Sequence, residues 1–151
     1  MAGFSVPTTY GEWSVALNRL KDREQDEENL RVMKLGTIEW QAGIADRFSK
    51  KLIEVVNVRL NAASDRFQRD MSHSYGQERG MVQALAALRR ELSFLGQVVS
   101  LPVLPEKDRG KYYGMVKDQA AKMQKSLEDS AKRDRTGKLS VIVRNNKVDV
   151  L

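Results

Sequence analysis

The fold is decided by residues 45–71, ADRFSKKLIEVVNVRLNAASDRFQRDM. The apolar residues of this stretch recur at steps of three and four, at Ala45, Phe48, Leu52, Val56, Leu60, Ala63, Phe67 and Met71. This spacing is close to the 3.6-residue period of an α-helix, and charged side chains occupy many of the positions between them. The stretch therefore predicts one long amphipathic helix, about 40 Å in length, that must bury one face against other helices.

Two further long helices are predicted on its C-terminal side. Residues 78–100 carry an apolar stripe with a strict seven-residue repeat, at Met81, Leu85, Leu88, Leu92, Leu95 and Val99. Such a repeat is typical of helices that pack at a shallow left-handed crossing angle, as in a coiled coil. A proline-containing turn at 101–105 precedes a last long helix that is predicted to reach Arg135. We expect Leu52 and Leu88 to be fully buried in one shared core.

Shorter helices are predicted before the long one. Thr9 and Glu12 have the spacing of a capping box, so a helix is expected from there to about Lys21. The run at 22–28 contains five acidic and no apolar residues, which predicts a solvated link or an exposed helical turn. Helical spacing then resumes, and the Gly-Thr pair at 36–37 is either a stop and restart or part of an uninterrupted helix.

The spacing of the apolar residues changes in the last part of the chain, residues 139–151. Six apolar residues flank the pair Asn145-Asn146, namely Leu139, Val141, Ile142, Val143, Val148 and Val150. Because asparagine tolerates the left-handed region, the pair predicts a two-residue β-hairpin turn. A lone hairpin is only marginally stable and has unpaired edges, so it must dock or pair with another chain. The charged exit at 132–135 should hold it away from the core, so we expect pairing, with the six apolar residues as candidate oligomerisation residues.

Together these patterns predict an all-α protein: a bundle of three to four long amphipathic helices over residues 1–137, with a small C-terminal β-hairpin at 138–151. A length of 151 residues favours one domain, and a hydrophobic fraction of 41% is enough for an ordinary core. No run approaches the ~18 apolar residues of a membrane span. No signal peptide is evident, cysteine is absent, and we expect a cytoplasmic protein.

The sequence gives no support for an enzyme. His73 is the only histidine, and the serines on either side of it are neighbours in sequence, without the third orienting group that a catalytic triad needs. No glycine-rich phosphate-binding loop is present. One histidine without cysteine leaves only carboxylates as metal ligands, and they show no ligand-like spacing. We therefore expect no catalytic residues, no metal and no cofactor.

The formal net charge of +6 is concentrated in the last third of the chain. Residues 106–138 carry ten basic and six acidic side chains. The candidate nucleic-acid-binding residues lie along the last helix and its exit: Lys111, Lys117, Lys122, Lys125, Lys132, Arg133, Arg135 and Lys138. No recognition motif accompanies them, so any such binding would be electrostatic and independent of sequence. A merely solvated helix face is the competing interpretation.

The favoured function is a non-enzymatic interaction, scaffold or assembly protein that associates with itself. The two central helices present more apolar length than a short fourth helix could cover, which indicates a partner protein or a second copy of the chain. The alternative is a sequence-nonspecific nucleic-acid-binding protein that uses the basic last third.

Overall fold

A computed structural model describes residues 3–150, and within this range every regular element is an α-helix. The helices are α1 (Tyr10–Lys21), α2 (Asp26–Leu35), α3 (Ile44–His73), α4 (Glu78–Val98), α5 (Glu106–Arg133) and α6 (Lys138–Asn145). The predicted all-α class is confirmed, and α3, α4 and α5 are the long helices, with 30, 21 and 28 residues.

The chain divides into two compact units. The first unit contains the residues up to Arg59 together with Val98–Tyr112, and the second contains Leu60–Gln97 together with the residues from Tyr113 onward. Helices α3 and α5 therefore contribute residues to both units. Helix α6 belongs to the second unit, and the domain boundary expected at residue 137 stays a prediction.

In the first unit, α1 begins where the sequence predicts. Thr9 Oγ1 accepts a hydrogen bond from the backbone N–H of Glu12, whose carboxylate accepts one from the N–H of Thr9. Trp13 packs edge-to-face on Phe48 of α3, with ring centroids 5.3 Å apart. Its indole N–H donates to the carbonyl of Thr37 at 2.8 Å. This aromatic pair anchors α1 against the start of α3, because a buried indole is stable when its N–H has a partner.

The connection between α2 and α3 is not helical. A helix end at residue 36 is confirmed, but the expected restart at Thr37 and the alternative of an uninterrupted helix are both wrong, since α3 begins at Ile44. A Cβ at Gly36 would lie 2.5 Å from Cζ2 of Trp13 and 2.9 Å from the carbonyl oxygen of Pro7. The Trp13 ring and the Pro7 backbone can approach this closely only because residue 36 is glycine.

Buried polar side chains also join the helices of the first unit. Arg59 of α3 is only 2% exposed and donates two hydrogen bonds of 2.9 Å to the Asp26 carboxylate. It donates another to the carbonyl of Leu20. Asn29 of α2 donates to the carbonyl of Ala16 in α1. Because a buried charge must be hydrogen-bonded and paired, these bonds fix the end of α1 and the start of α2 on α3.

In the second unit, α4 follows the end of α3 after the short connection at 74–77, which makes these helix ends antiparallel neighbours. A Cβ at Gly80 would lie 2.5 Å from Oγ of Ser74, so the start of α4 lies tightly against the connection. The predicted apolar stripe of α4 is buried, including Leu88 at 3% exposure. In the first unit Leu52 is 0% exposed, so both residues expected in the interior are there.

The predicted β-hairpin is wrong, because no strand occurs in the described residues and 138–145 form α6. Leu139, Ile142 and Val143 are the buried residues of α6 and follow the i, i+3, i+4 spacing of a helix. Gly137 precedes α6 with a φ of 74°, in the left-handed region that favours glycine. The side-chain amide of Asn146 donates to the carbonyl of Ile142 at 2.9 Å. The asparagine pair therefore closes a helix instead of forming a hairpin turn.

The residues after α6 lie against their own unit. The N–H of Val148 donates to Oε1 of Gln124 at 2.8 Å, and the hydroxyl of Tyr113 donates to the carbonyl of Val150 at 3.0 Å. A Cβ at Gly96 would lie 2.6 Å from Cγ1 of Val150, so the glycine makes room for the tail. The expectation that the charged exit holds the tail away from the core is therefore wrong. The hydrogen bonds and apolar contacts of the tail outweigh the charge before it.

Candidate binding sites in the second unit

An open groove of about 550 Å³ lies between α3 and α5 within the second unit, and we call it the α3–α5 groove. Its floor is apolar and consists of Phe67, Met71, Met123, Leu127 and Leu139. Its walls carry hydroxyl and amide groups from Ser64, Gln68, Ser72, Tyr75, Gln119, Ser126 and Ser130, together with one charged residue, Lys122. The groove therefore combines an apolar base with walls that can donate and accept hydrogen bonds.

The groove exists because short side chains stand where the two helices face each other. Ser64 on α3 and both Ser126 and Ser130 on α5 line it. A serine fills much less volume than a leucine, so the helices do not close over the apolar floor. The lining covers 64–72 on α3 and 119–130 on α5, which corresponds to lengths of about 12 and 16 Å along the helices.

The charge in the lining of the groove is basic. Among the described residues, no carboxylate lines the groove and Lys122 is its one charged residue. The second unit carries 14 basic and 9 acidic side chains, a net charge of +5, whereas the first unit carries 12 basic and 11 acidic, a net charge of +1. Most of the positive charge of the protein is therefore in the unit that contains the groove.

At one end of the groove, the carboxylate of Asp134 joins residues of the lining through hydrogen bonds. It accepts hydrogen bonds from the N–H of Leu139 at 3.0 Å, from the N–H of Thr136 at 3.2 Å and from the hydroxyl of Tyr75 at 3.4 Å. These bonds, above all the one from Leu139, hold the pKa of Asp134 below its usual value. The Tyr75 side chain is 65% exposed and extends the groove towards solvent.

A second cleft of about 580 Å³ lies between the end of α3 and the start of α4, and we call it the α3–α4 cleft. Its charged and polar lining consists of Arg66, Asp70, His73, Ser74, Gln83 and Arg90, and its small residues are Gly80, Ala84, Ala86 and Ala87. Nε of Arg66 lies 3.6 Å from Oδ2 of Asp70. Within the described part of the chain no carboxylate pairs with Arg90. Two arginines thus flank a cleft with a floor of small side chains.

The eight basic residues predicted to bind nucleic acid are all exposed. None of them forms an ion pair among residues 3–150. Those on α5 do not form an unbroken basic stripe, because Asp118, Glu128 and Asp129 are exposed between them. Only Lys122 lines the α3–α5 groove. Their role in nucleic-acid binding stays a prediction.

The six apolar residues predicted to mediate oligomerisation do not form one exposed surface. Five of them are buried in the second unit: Leu139, Ile142, Val143, Val148 and Val150. Val141 is 49% exposed and points away from the buried face of α6. Oligomerisation through these residues stays a prediction, with Val141 as the exposed apolar side chain among them.

Some lining residues of the clefts, including Lys122 and Leu139, are singled out by the sequence, but in other roles, and the sequence predicts neither cleft. His73, which lacks the partners of a catalytic triad, lines the α3–α4 cleft with Arg66 and Arg90. The only available signal was the position of Ser64 and Ser126 beside the apolar stripes, where short residues leave room between helices. Serine is so common on exposed helix faces that this signal is weak.

No described helix is long and apolar enough to cross a membrane. Among residues 3–150, no three side chains of the metal-ligating types His, Cys, Asp and Glu come together as a metal site requires. Comparison with known protein families, curated proteins and solved structures finds no match to this chain.

Proposed function

We propose that this chain is a non-enzymatic interaction protein that binds an acidic amphipathic helix of a partner protein in the α3–α5 groove. The observation that carries the proposal is the lining of the groove, with its apolar floor, its hydrogen-bonding walls and no carboxylate. In helix-in-groove recognition, the apolar face of a helix fills such a floor while its polar flanks meet the walls.

The dimensions and composition of the groove suit a helix. The α5 side of the lining, 119–130, is about 16 Å long and matches roughly three turns of a bound helix. Met71 and Met123 supply flexible side chains that adapt to different apolar partners. Lys122 and the net charge of the second unit favour an acidic flank, because complementary charge accelerates association and selects the partner.

A second copy of the chain is the alternative occupant of the same groove. The sequence-based reason for self-association was an excess of apolar length on two helices, but the stripe residues of α4 and those of α3 from Phe48 to Phe67 are buried within the chain. Met71 and Met123 are the half-buried apolar side chains that the groove leaves for assembly. Coiled-coil packing of α4 against its neighbours within the chain and a cytoplasmic location remain part of the proposal, and the lack of cysteine is compatible with that compartment.

The test uses a designed helical peptide of about 16 residues, with leucines at helical spacing and glutamates elsewhere. We expect saturable binding by fluorescence anisotropy, with NMR shifts of the methyl groups of Met71 and Met123. Met123→Glu should weaken binding about tenfold or more, because it places a charge in the apolar floor. Val141→Glu is the matched control, since it adds the same charge at an exposed apolar residue outside the groove, and should leave binding unchanged.

The following results distinguish the possible occupants of the α3–α5 groove. A peptide with lysines in place of the glutamates should bind more weakly, and equal binding would show that the acidic flank is wrong. Methyl shifts that are absent, or equal in both variants, would show that the groove is not the site. Sedimentation without peptide tests the second copy: a concentration-dependent dimer that Met123→Glu abolishes would replace the partner helix with self-association.

Sequence-nonspecific nucleic-acid binding is the second candidate, and the exposure of its eight basic side chains, which form no ion pair with the described residues, favours it. Binding to a mixed-sequence oligonucleotide should weaken steeply with salt. Reversal of Lys122, Lys125 and Lys132 to glutamate should abolish it, whereas reversal of Arg47 and Lys50 in the first unit should not. No binding at low salt would remove this candidate.

A further inference from the structure

We propose that the α3–α4 cleft binds the phosphate group of a small phosphorylated molecule, held by Arg66 and Arg90. This cleft shares no lining residue with the α3–α5 groove, and the inference does not depend on the proposed function. Two features of the cleft support it: its two guanidinium groups and its floor of small residues.

The guanidinium groups provide the charge. Arg66 on α3 and Arg90 on α4 line the same cleft from two helices. A guanidinium carries five N–H donors in a planar fork, which matches the oxygen atoms of a phosphate. Arg90 has no carboxylate partner in the described part of the chain. The Arg66–Asp70 contact is 3.6 Å long, with both side chains largely exposed, so it is a weak pair that a phosphate dianion can replace.

The floor allows a ligand to come close to the backbone. Ala84 and Ala87 lie three residues apart on α4 and leave little side chain above it. Ser74 and Gln83 add a hydroxyl and an amide as further donors. The volume of about 580 Å³ is ample for a small molecule attached to the phosphate.

The carboxylate of Asp70 disfavours anion binding, so its substitution gives a discriminating test of the proposal. Asp70 is the one carboxylate in the lining. It repels a phosphate and occupies Arg66, so its replacement by the neutral isostere should strengthen binding. Loss of Arg90 should weaken binding. Opposite effects from these two substitutions, at the half-buried Asp70 and the exposed Arg90, are expected of a phosphate site and not of a change in folding.

The experiment titrates inorganic phosphate, and then glycerol phosphate, into the labelled protein at constant ionic strength, with chloride as the control anion. We expect saturable NMR shifts of the Nε–H groups of Arg66 and Arg90. Arg90→Ala should weaken binding roughly tenfold, the usual consequence of losing a charge-assisted hydrogen bond. Asp70→Asn should tighten binding several-fold. Arg144→Ala is the control, because Arg144 is exposed on α6 outside the cleft, and it should change nothing.

Several results would overturn the inference. Equal shifts with chloride, or shifts spread over all exposed arginines, would show only ionic screening. Weaker binding by Asp70→Asn would contradict the electrostatics of the cleft. Equal affinity for dimethyl phosphate, a monoanionic diester, would exclude selection of a phosphate dianion. Binding to vesicles that contain phosphatidic acid, lost in Arg90→Ala and without competition from glycerol phosphate, would assign the cleft to a lipid headgroup instead.

Discussion

The first unit joins its helices through buried polar side chains, whereas the second joins them through small residues and a docked tail. In the first, Arg59 binds the Asp26 carboxylate and Trp13 donates its indole N–H to a backbone carbonyl. In the second, Gly80 lies against the α3–α4 connection and Gly96 leaves room for Val150.

This difference accounts for the lining of the α3–α5 groove and the α3–α4 cleft. Buried hydrogen bonds in the first unit tie its helices at fixed points and use the donors that a ligand would need. In the second unit, serine, glycine and alanine at the facing positions bring backbones close at some points and leave space at others. A helical unit with small residues at its contacts and surplus basic charge is therefore better suited to bind a partner. The following substitutions test the comparison.

The largest loss of stability is expected from truncating a buried leucine in each unit. Leu52→Ala in the first unit and Leu88→Ala in the second should each lower the free energy of unfolding by about 2–5 kcal/mol, because both side chains are buried. Urea denaturation measures the loss. A loss below about 1 kcal/mol at Leu88 alone would show that the second unit relaxes around the cavity, and the same at both sites would show that the buried faces are misassigned.

The next effect compares two ion pairs. Asp26→Ala should lower the free energy of unfolding by about 3 kcal/mol, because it removes the carboxylate from the buried Arg59. Asp70→Ala in the second unit should change it by less than about 1 kcal/mol, because its pair with Arg66 is long and exposed. Equal losses in denaturant titrations would contradict the division between a polar and a small-residue unit.

A smaller loss of stability is expected from a substitution at Gly96, where the tail packs against α4. Gly96→Ala should lower the free energy of unfolding by roughly 1–3 kcal/mol, because its Cβ would meet the side chain of Val150. The double variant with Val150→Ala should recover part of that loss, and limited proteolysis should show whether the tail is released. A loss that Val150→Ala does not reduce would mean that the strain at residue 96 falls elsewhere.

The smallest effect is a pH dependence. Hydrogen bonds led by the Leu139 N–H lower the pKa of Asp134, and bonds led by the Thr8 hydroxyl lower that of Glu12 in the first unit. A lowered pKa in the folded state means that the stabilisation is complete above the unfolded-state pKa and is lost as the pH falls through the folded-state value. The free energy of unfolding should therefore differ between the native chain and Asp134→Asn at neutral pH. This difference should shrink as the pH falls below about 4. A constant difference would exclude this role for Asp134.

The helices were predictable because their signals are local. The spacing from Phe48 to Phe67, the repeat of α4 and the capping box of Thr9 and Glu12 each lie within one element. A long periodic pattern fits a helix and no other regular structure, so the prediction of a helix does not depend on the rest of the chain. The all-α class and the burial of Leu52 and Leu88 follow from them.

The tail and the clefts required the tertiary structure. Leu139, Val141, Ile142 and Val143 fit both a strand and a short helix, so a run this short does not decide its own period. The decision came from residues distant in the chain or outside the run: the Asp134 carboxylate that accepts from the Leu139 N–H and the space at Gly96 that receives Val150. The clefts likewise depend on which faces of separate helices meet. Sequence alone determined where the long helices form, because that depends on neighbours within a turn, whereas packing decided the conformation of the tail and what lies between the helices.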